Sequence, residues 1–144
     1  LPQIRSNSQD VVFSAFALLY VDDLLSCFKE VKRVLKNKGM FVFSLDHPMY
    51  RTVDPKNLKL KDSYFNTGKR VFTFSDPTKK LVCYTHTVSE LYTLLVEAGF
   101  FVDRIIEPDS RKKYKEDPWF GLWDYQPALL KMIPPSIIFR CRKL

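Results

Sequence analysis

The feature that restricts the fold most is a strong apolar run close to the N-terminus. The stretch "VVFSAF", residues 11–16, is rich in Val and Phe and contains only one polar residue. A near-continuous apolar run of this length is typical of a parallel strand that is covered on both faces. We therefore predict a buried strand that begins near Asp10 and lies inside a parallel sheet.

The residues after this strand change to the period of a helix. From Asp22 to Lys38, apolar residues recur at steps of three and four, and Asp22 and Asp23 supply an N-cap and favourable charge at the helix start. Gly39 is predicted to take the left-handed position at the helix end. "MFVFSL", residues 40–45, is predicted to be a second buried strand. A strand, a helix and a strand in this order cross over right-handed and make the two strands parallel.

The next segment is predicted to be a long loop followed by a β-hairpin. Residues 46–68 contain two prolines and show no sustained periodicity, which indicates a loop. Two alternating segments, "KRVFTF" at 69–74 and "KLVCYTHT" at 80–87, then flank the turn "SDPTK". This arrangement is typical of a hairpin.

One helix and two strands are predicted in the remainder. Thr87 and Glu90 have the spacing of a capping box, and Gly99 ends the helix that this box begins. "FFVDRIIEP", residues 100–108, and "SIIFRCRK", residues 136–143, are the predicted third and fourth strands of the sheet.

Composition excludes several classes of protein. The 144 residues, 46% of them hydrophobic, suffice for one compact domain with a core. No run approaches the roughly 20 apolar residues that cross a bilayer, so we expect no membrane partner. Cys27, Cys83 and Cys141 are widely spaced and form no CxxC pair, which indicates neither a disulfide framework nor a zinc site, and no metal is expected. A reducing, cytoplasmic location fits these cysteines.

The net charge of +7 raises the question of a nucleic-acid partner. The only dense basic cluster is "RKKYK", residues 111–115, whereas other cations are spread along the first helix. We favour a solvated loop over a phosphate-binding patch at this cluster, and we expect no nucleic-acid partner. A basic RNA-associated module remains the alternative function.

Several segments together resemble a known family. "QDVVFSAFALLYVDDLLSCFKEVKRVLKNKGMFVFSLDHP", residues 9–48, resembles the second half of a class I S-adenosylmethionine-dependent methyltransferase. "THTVSELYTLLVEAGF", "VDRIIEP" and the final "PPSIIFRCRK" are similar to the closing helix and strands of its small-molecule members. The resemblance covers nearly the whole chain, and it depends on several motifs in order rather than on one diagnostic motif.

The resemblance implies a specific fold, a partial Rossmann-like α/β sheet. Its strand order would be 4-5-7-6 in family numbering, with the last strand antiparallel and an inserted hairpin. Residues 1–144 would be the C-terminal portion of a single domain, with an insertion or lid at about 46–86. The three strands that precede these in the family would be missing, and Leu1, which is not Met, would be a cut end. The strand at 10–16 would then be an exposed edge through which the chain self-associates.

The resemblance also implies S-adenosylmethionine as the cofactor and suggests residues that approach it. Ser14, Ala15 and Phe16 match the family position after the fourth strand, beside the methionine portion of the cofactor, with plain core packing as the alternative. Asp46 and His47 follow the second strand, at the edge where open α/β sheets bind ligands. His47 could accept a proton from a substrate hydroxyl, or it could be a hydrogen-bonded loop residue. We predict Asp46 and His47 as the catalytic pair.

Aromatic and hairpin residues are candidates for the acceptor side of the site. Tyr84 and His86 share one face of the hairpin, which could close over a pocket, although cross-strand packing is the favoured role. Trp119 and Trp123, with Tyr114, Phe120 and Tyr125, could line an apolar substrate pocket, or could pack a long loop onto the sheet, which we favour. The predicted function is methyl transfer from S-adenosylmethionine to a small apolar or aromatic molecule. A non-catalytic half-domain is a further alternative.

Overall fold

The computed structural model describes residues 1–54, 56–73, 78, 80–109 and 127–144. The described strands are Gln9–Ala15 (β1), Leu35–Asp46 (β2), Gly68–Thr73 (β3), Lys80–Thr85 (β4), Phe100–Ile106 (β5) and Ser136–Lys143 (β6). The described α-helices are Leu24–Val34 (α1), Val88–Glu97 (α2) and the short Pro127–Leu130 (α3). Short 3-10 turns lie at Leu18–Tyr20 and Tyr50–Thr52.

The main sheet has four strands in the order β1-β2-β6-β5. β1 and β2 are parallel, and β6 runs antiparallel between β2 and β5. This arrangement confirms the predicted topology, including the antiparallel last strand. The predicted hairpin is also present, because β3 and β4 pair antiparallel as a separate two-stranded sheet.

Helix α1 begins as predicted but ends earlier. The Asp23 carboxylate accepts a hydrogen bond from the Ser26 N–H at 2.9 Å, which makes Asp23 the N-cap. The helix ends at Val34 rather than Lys38, because Leu35 is fully buried and already pairs with Gln9 as the first residue of β2.

The prediction that Gly39 holds the left-handed position is wrong. Lys38 takes that conformation, with φ of 65°. Residues 36–39 bulge out between the pairs Gln9↔Leu35 and Val11↔Met40. The left-handed residue of this bulge is therefore one position earlier than expected. A Cβ added at Gly39 would lie 2.8 Å from the Lys36 carbonyl oxygen. Gly39 is therefore required for the close approach of two backbone segments.

Helix α2 has the capping box that its sequence predicts. The Thr87 hydroxyl accepts from the Glu90 N–H at 3.1 Å, and the Glu90 carboxylate accepts from the Thr87 N–H at 2.8 Å. Such a cap typically contributes about 1 kcal/mol. Gly99 follows the helix with φ of 84°, as predicted.

The core lies between both helices and one face of the sheet. Alternate residues of β2 and β6 point into it, and their rings stack: the centroids of Phe41 and Phe43 are 4.9 Å apart and those of Phe43 and Phe139 are 5.1 Å apart. Phe28 from α1 packs against Phe41 and Phe43. Helix α2 adds Leu91, Leu95 and Ala98. This cluster holds the strands of the sheet together, and the candidate site lies at the edge where β1 and β2 end.

Strand β1 is not covered on both faces, contrary to the prediction from its apolar run. It is an edge strand in the described residues, and Val11 and Phe13 are 54% and 69% exposed. Val12 and Ser14, on the other face, are partly buried and lie opposite Phe41 and Phe43. The strand therefore buries one face and presents the other to solvent.

Candidate functional site

The candidate site lies where β1 and β2 end, since ligands of open α/β sheets bind at the carboxyl ends of parallel strands. Ser14 and Ala15 close β1, and the Phe16 N–H donates to the Ser44 carbonyl oxygen at 3.0 Å. Phe16 has φ of 52°, which is uncommon for a residue with a side chain, and the residue is 39% exposed. Ser14 and Ala15 thus lead into a strained, partly exposed turn at Phe16 on this edge.

The predicted catalytic residue Asp46 forms an ion pair. Its carboxylate accepts from the Arg51 Nε at 3.0 Å and also contacts Arg51 Nη2. Arg51 lies in the 3-10 turn that follows β2. This charge-assisted pair ties the 3-10 turn to the end of β2 and holds the 46–52 segment against the sheet edge.

The predicted proton acceptor His47 is buried, with 7% exposure, and both ring nitrogens are engaged. Nδ1 accepts from the Met49 N–H at 3.1 Å, and Nε2 lies 2.8 Å from a Glu107 carboxylate oxygen. Because Nδ1 accepts, the proton of the neutral ring is on Nε2 and points to Glu107. Both ring nitrogens therefore have partners in this structure, and the catalytic role of His47 stays a prediction.

Glu107 is a residue that the sequence interpretation missed. It directly follows β5, which runs parallel to β2 because both are antiparallel to β6. Parallel strands end at the same edge of a sheet, so a carboxylate just after β5 could have been placed near a residue just after β2. The signal was present once the strand order was predicted.

The hairpin covers a small cavity at the same edge. A space of about 50 Å³ is lined by Leu19, Leu45, Asp46 and the β4 segment from Cys83 to His86. The Tyr84 hydroxyl lies beside Asp22, and burial together with this carboxylate raises the Tyr84 pKa. The structure therefore brings Tyr84, His86 and Asp46 together around one space.

His86 has an unusual environment at this cavity. Its Nε2 is buried and has no hydrogen-bond partner in the described residues, while Nδ1 lies 4.0 Å from a Glu90 carboxylate oxygen. Burial lowers the His86 pKa, and the nearby Glu90 charge opposes that shift. A buried polar atom without a partner is uncommon and requires an explanation.

The remaining predicted site residues cannot be placed. Trp119 and Trp123, with the other aromatic residues of that segment, lie outside the described residues, as does the basic cluster at 111–115. Within the described ranges, no group of three or more His, Cys, Asp or Glu side chains could hold a metal ion. No described helix is long and apolar enough to span a membrane.

Comparison with known proteins bears directly on this arrangement. A family profile described as "Methyltransferase domain" matches residues 1–43. A Listeria monocytogenes protein described as an S-adenosylmethionine dependent methyltransferase has a similar solved structure, with a TM-score of 0.75, 25% identity, and coverage of 98% of this chain and 64% of that one. The chain has the class I methyltransferase fold.

Two further solved structures share this methyltransferase fold. An S-adenosylmethionine dependent methyltransferase of Mesorhizobium loti matches with a TM-score of 0.71 and 24% identity, covering 97% of this chain and 64% of that one. A geranyl diphosphate C-methyltransferase of Streptomyces coelicolor, solved with S-adenosyl-L-homocysteine, matches with a TM-score of 0.61 and 14% identity, covering 99% and 49%. At these identities the likeness shows the fold alone. No curated protein sequence matches.

The chain spans 64% of the length of the first two of these structures. Its methyltransferase fold comprises the strands that the resemblance numbers fourth, fifth, seventh and sixth.

Proposed function

We propose that this chain forms the acceptor side of the active site in a protein that transfers a methyl group from S-adenosylmethionine to a small molecule. The observation that carries the proposal is the position of the cavity. It lies at the carboxyl ends of β1 and β2, between the sheet edge and the hairpin, in a chain whose fold matches methyltransferases along 98% of its length. The comparisons support methyl transfer in general, whereas the small-molecule acceptor is our inference.

The residues at the end of β1 fit the methionine portion of S-adenosylmethionine. Phe16 presents a partly exposed ring, and its strained backbone holds Ala15 and Phe16 uncovered at the sheet edge. When bound, the cofactor supplies a methyl group that its sulfonium already activates. The 144 residues contain no GxG turn after a strand, so we propose that the adenosine portion lies against polypeptide outside this chain.

We propose that the described polar residues position the site rather than react. The pair of Asp46 with Arg51 and the pair of His47 with Glu107 hold the segment after β2 in place. Methyl transfer from a sulfonium requires chiefly alignment of the two reactants and exclusion of water. A protein of this kind needs few catalytic side chains, which agrees with the engaged nitrogens of His47.

The proposal is tested by titrating S-adenosylhomocysteine into the ¹⁵N-labelled chain and following its amide NMR signals. We expect changes confined to residues 14–20 and 44–47, with a dissociation constant of about 1 mM or weaker, because only part of the ligand has a wall to contact. Phe16→Ala should weaken this binding, whereas Phe65→Ala, which removes another exposed ring, should not.

Two results would contradict the proposal. One is the absence of any change at millimolar S-adenosylhomocysteine, and the other is a set of changes centred away from the ends of β1 and β2. Equal effects of the two Ala variants would likewise show that the ligand does not contact the turn at Phe16.

A further inference from the structure

A second, larger pocket adjoins the small cavity. Its volume is about 480 Å³, and it lies between the segment from Pro48 to Thr67 and the hairpin. Pro48, Arg51, Thr85 and His86 line both spaces, so the two spaces meet at these residues. A molecule in the larger pocket could therefore extend to the sheet edge.

The residues that line this pocket carry a net positive charge. Four cationic residues line it, and one acidic residue does: Arg51, Lys61, Lys69 and Arg70 against Asp62. Concave surfaces with one sign of charge concentrate ligands of the opposite sign. The described walls of this pocket are polar and basic, whereas the apolar pocket considered in the sequence analysis would be lined by aromatic residues outside the described ranges.

The Arg70 guanidinium is held in place with donors to spare. Its Nη2 donates to the Asn66 carbonyl oxygen at 2.6 Å and lies 3.0 Å from an Asp62 carboxylate oxygen. Both contacts use the same nitrogen, so within the described segments Nε and Nη1 have no partner. A fixed guanidinium with free donors suits a carboxylate or phosphate oxygen pair.

Arg51 and Arg70 act on the same part of β4. Burial raises the pKa of the Cys83 thiol, and the positive charges of both arginines oppose that shift. Cys83 lies on β4 opposite Arg70, and His86 follows the end of this strand. Arg51 and His86, whose Nε2 has no partner in the described residues, therefore lie where the two spaces meet, and Arg70 lines the larger pocket beside them.

We propose that this pocket binds an anionic group, a carboxylate or a phosphate, of the methyl acceptor. That the anion belongs to a methyl acceptor rests on the proposed function. The anion site itself depends only on the described side chains. The Nε2 of His86 and the free donors of Arg70 would bind the anion's oxygens. The opposite end of the molecule would then reach the small cavity beside Leu19 and Asp46.

The test uses inorganic phosphate, acetate and the neutral analogue acetamide as probes. Each is titrated into the ¹⁵N-labelled chain while the backbone amide signals of residues 66–70 and 85–86 and the Arg70 Nε signal are followed. We expect saturable changes with phosphate, acetate or both, and none with acetamide. Binding of phosphate alone assigns a phosphorylated acceptor, and binding of acetate assigns a carboxylate.

Variants separate a built site from general attraction to a basic protein. Arg70→Gln should weaken anion binding roughly tenfold or more, as expected for a lost charge-assisted contact. The double variant Asp62→Asn with Arg70→Gln keeps a neutral pair in place of the ion pair and should show the same loss. Lys29→Gln removes one exposed charge from α1 and should leave binding unchanged.

The anion site would be overturned if Lys29→Gln and Arg70→Gln weakened anion binding equally. It would also be overturned if acetamide bound with the same affinity as acetate. Failure of this site is distinguishable from failure of the proposed function. Anion binding at residues 66–70 without any S-adenosylhomocysteine effect at residues 14–20 would retain the anion site and reject methyl transfer. An S-adenosylhomocysteine effect at residues 14–20 without anion binding would retain methyl transfer and reject the anion site.

Discussion

At the scale of single residues, Phe16 combines an unfavourable backbone angle with a position at the ligand-binding edge. Its φ of 52° lies in the left-handed region, which costs a residue with a side chain about 1–2 kcal/mol. The hydrogen bond from its N–H to Ser44 and the 3-10 turn that follows hold it there. Strain of this kind clusters at binding sites, which agrees with the proposed contact to the cofactor.

This strain predicts an inverted order of stability for two small substitutions. Phe16→Gly should be more stable than Phe16→Ala by about 1 kcal/mol, since only Gly relieves the left-handed conformation. Ala15→Gly, within β1, should instead lower the free energy of unfolding by about 0.5–1 kcal/mol. Urea denaturation of the three variants measures both differences. If Phe16→Ala is the more stable of the pair, the backbone at this turn is not strained.

The sequence located the residues of the site better than it located their partners. Asp46 and His47 lie at the end of β2, where their position after a predicted strand placed them, and Tyr84 and His86 of the hairpin line the same cavity as Asp46. The partner of His47, however, is 60 residues away in the chain. No local pattern encodes such a contact, and only the strand order brings the two side chains together.

At the scale of elements, the junction between α1 and β2 shows why a helix end is hard to predict. The apolar period continues through Leu35, but Leu35 extends because it pairs with Gln9 of β1. The Lys143 ammonium, from β6, then donates to the Lys32 and Leu35 carbonyl oxygens at 2.8 and 2.7 Å. Both contacts are between distant parts of the chain, whereas strand identity and the capping box followed from local patterns, and the strand order was implied by the family resemblance.

Substitutions at Lys38 and Gly39 test this description of the junction. Lys38→Gly should stabilise the chain by about 0.5–1 kcal/mol, because Lys38 and not Gly39 has positive φ. Gly39→Ala should destabilise it by about 1–3 kcal/mol, because the new methyl group would meet the carbonyl oxygens of Lys36 and Asp10 at 2.8 and 3.2 Å. Thermal or urea unfolding reports both. If Lys38→Gly destabilised the chain and Gly39→Ala stabilised it, this description of the junction would be wrong.

At the scale of the whole molecule, the exposed face and edge of β1 dominate the expected behaviour in solution. Between Val11 and Phe16 there is no charge, proline or bulge of the kind that protects natural edge strands. The unpaired edge adjoins two strongly exposed apolar side chains, Val11 and Phe13. This sequence spans 64% of the length of the Listeria monocytogenes structure, which therefore contains further chain. In the isolated chain, a second copy is the occupant we propose, with two β1 strands pairing antiparallel about a twofold axis.

Phe13→Lys tests this pairing, because Phe13 is 69% exposed and its replacement should not disturb the core. We expect the unmodified chain to form dimers or larger species in light scattering. The variant should self-associate at least about tenfold more weakly, since pairing would bring two ammonium groups together beside an apolar strand. Phe65→Lys makes the same chemical change at a residue that is 80% exposed, in the loop between β2 and β3, and should leave association unchanged. A monomeric unmodified chain, or equal effects of the two variants, would mean that the β1 edge is not the contact.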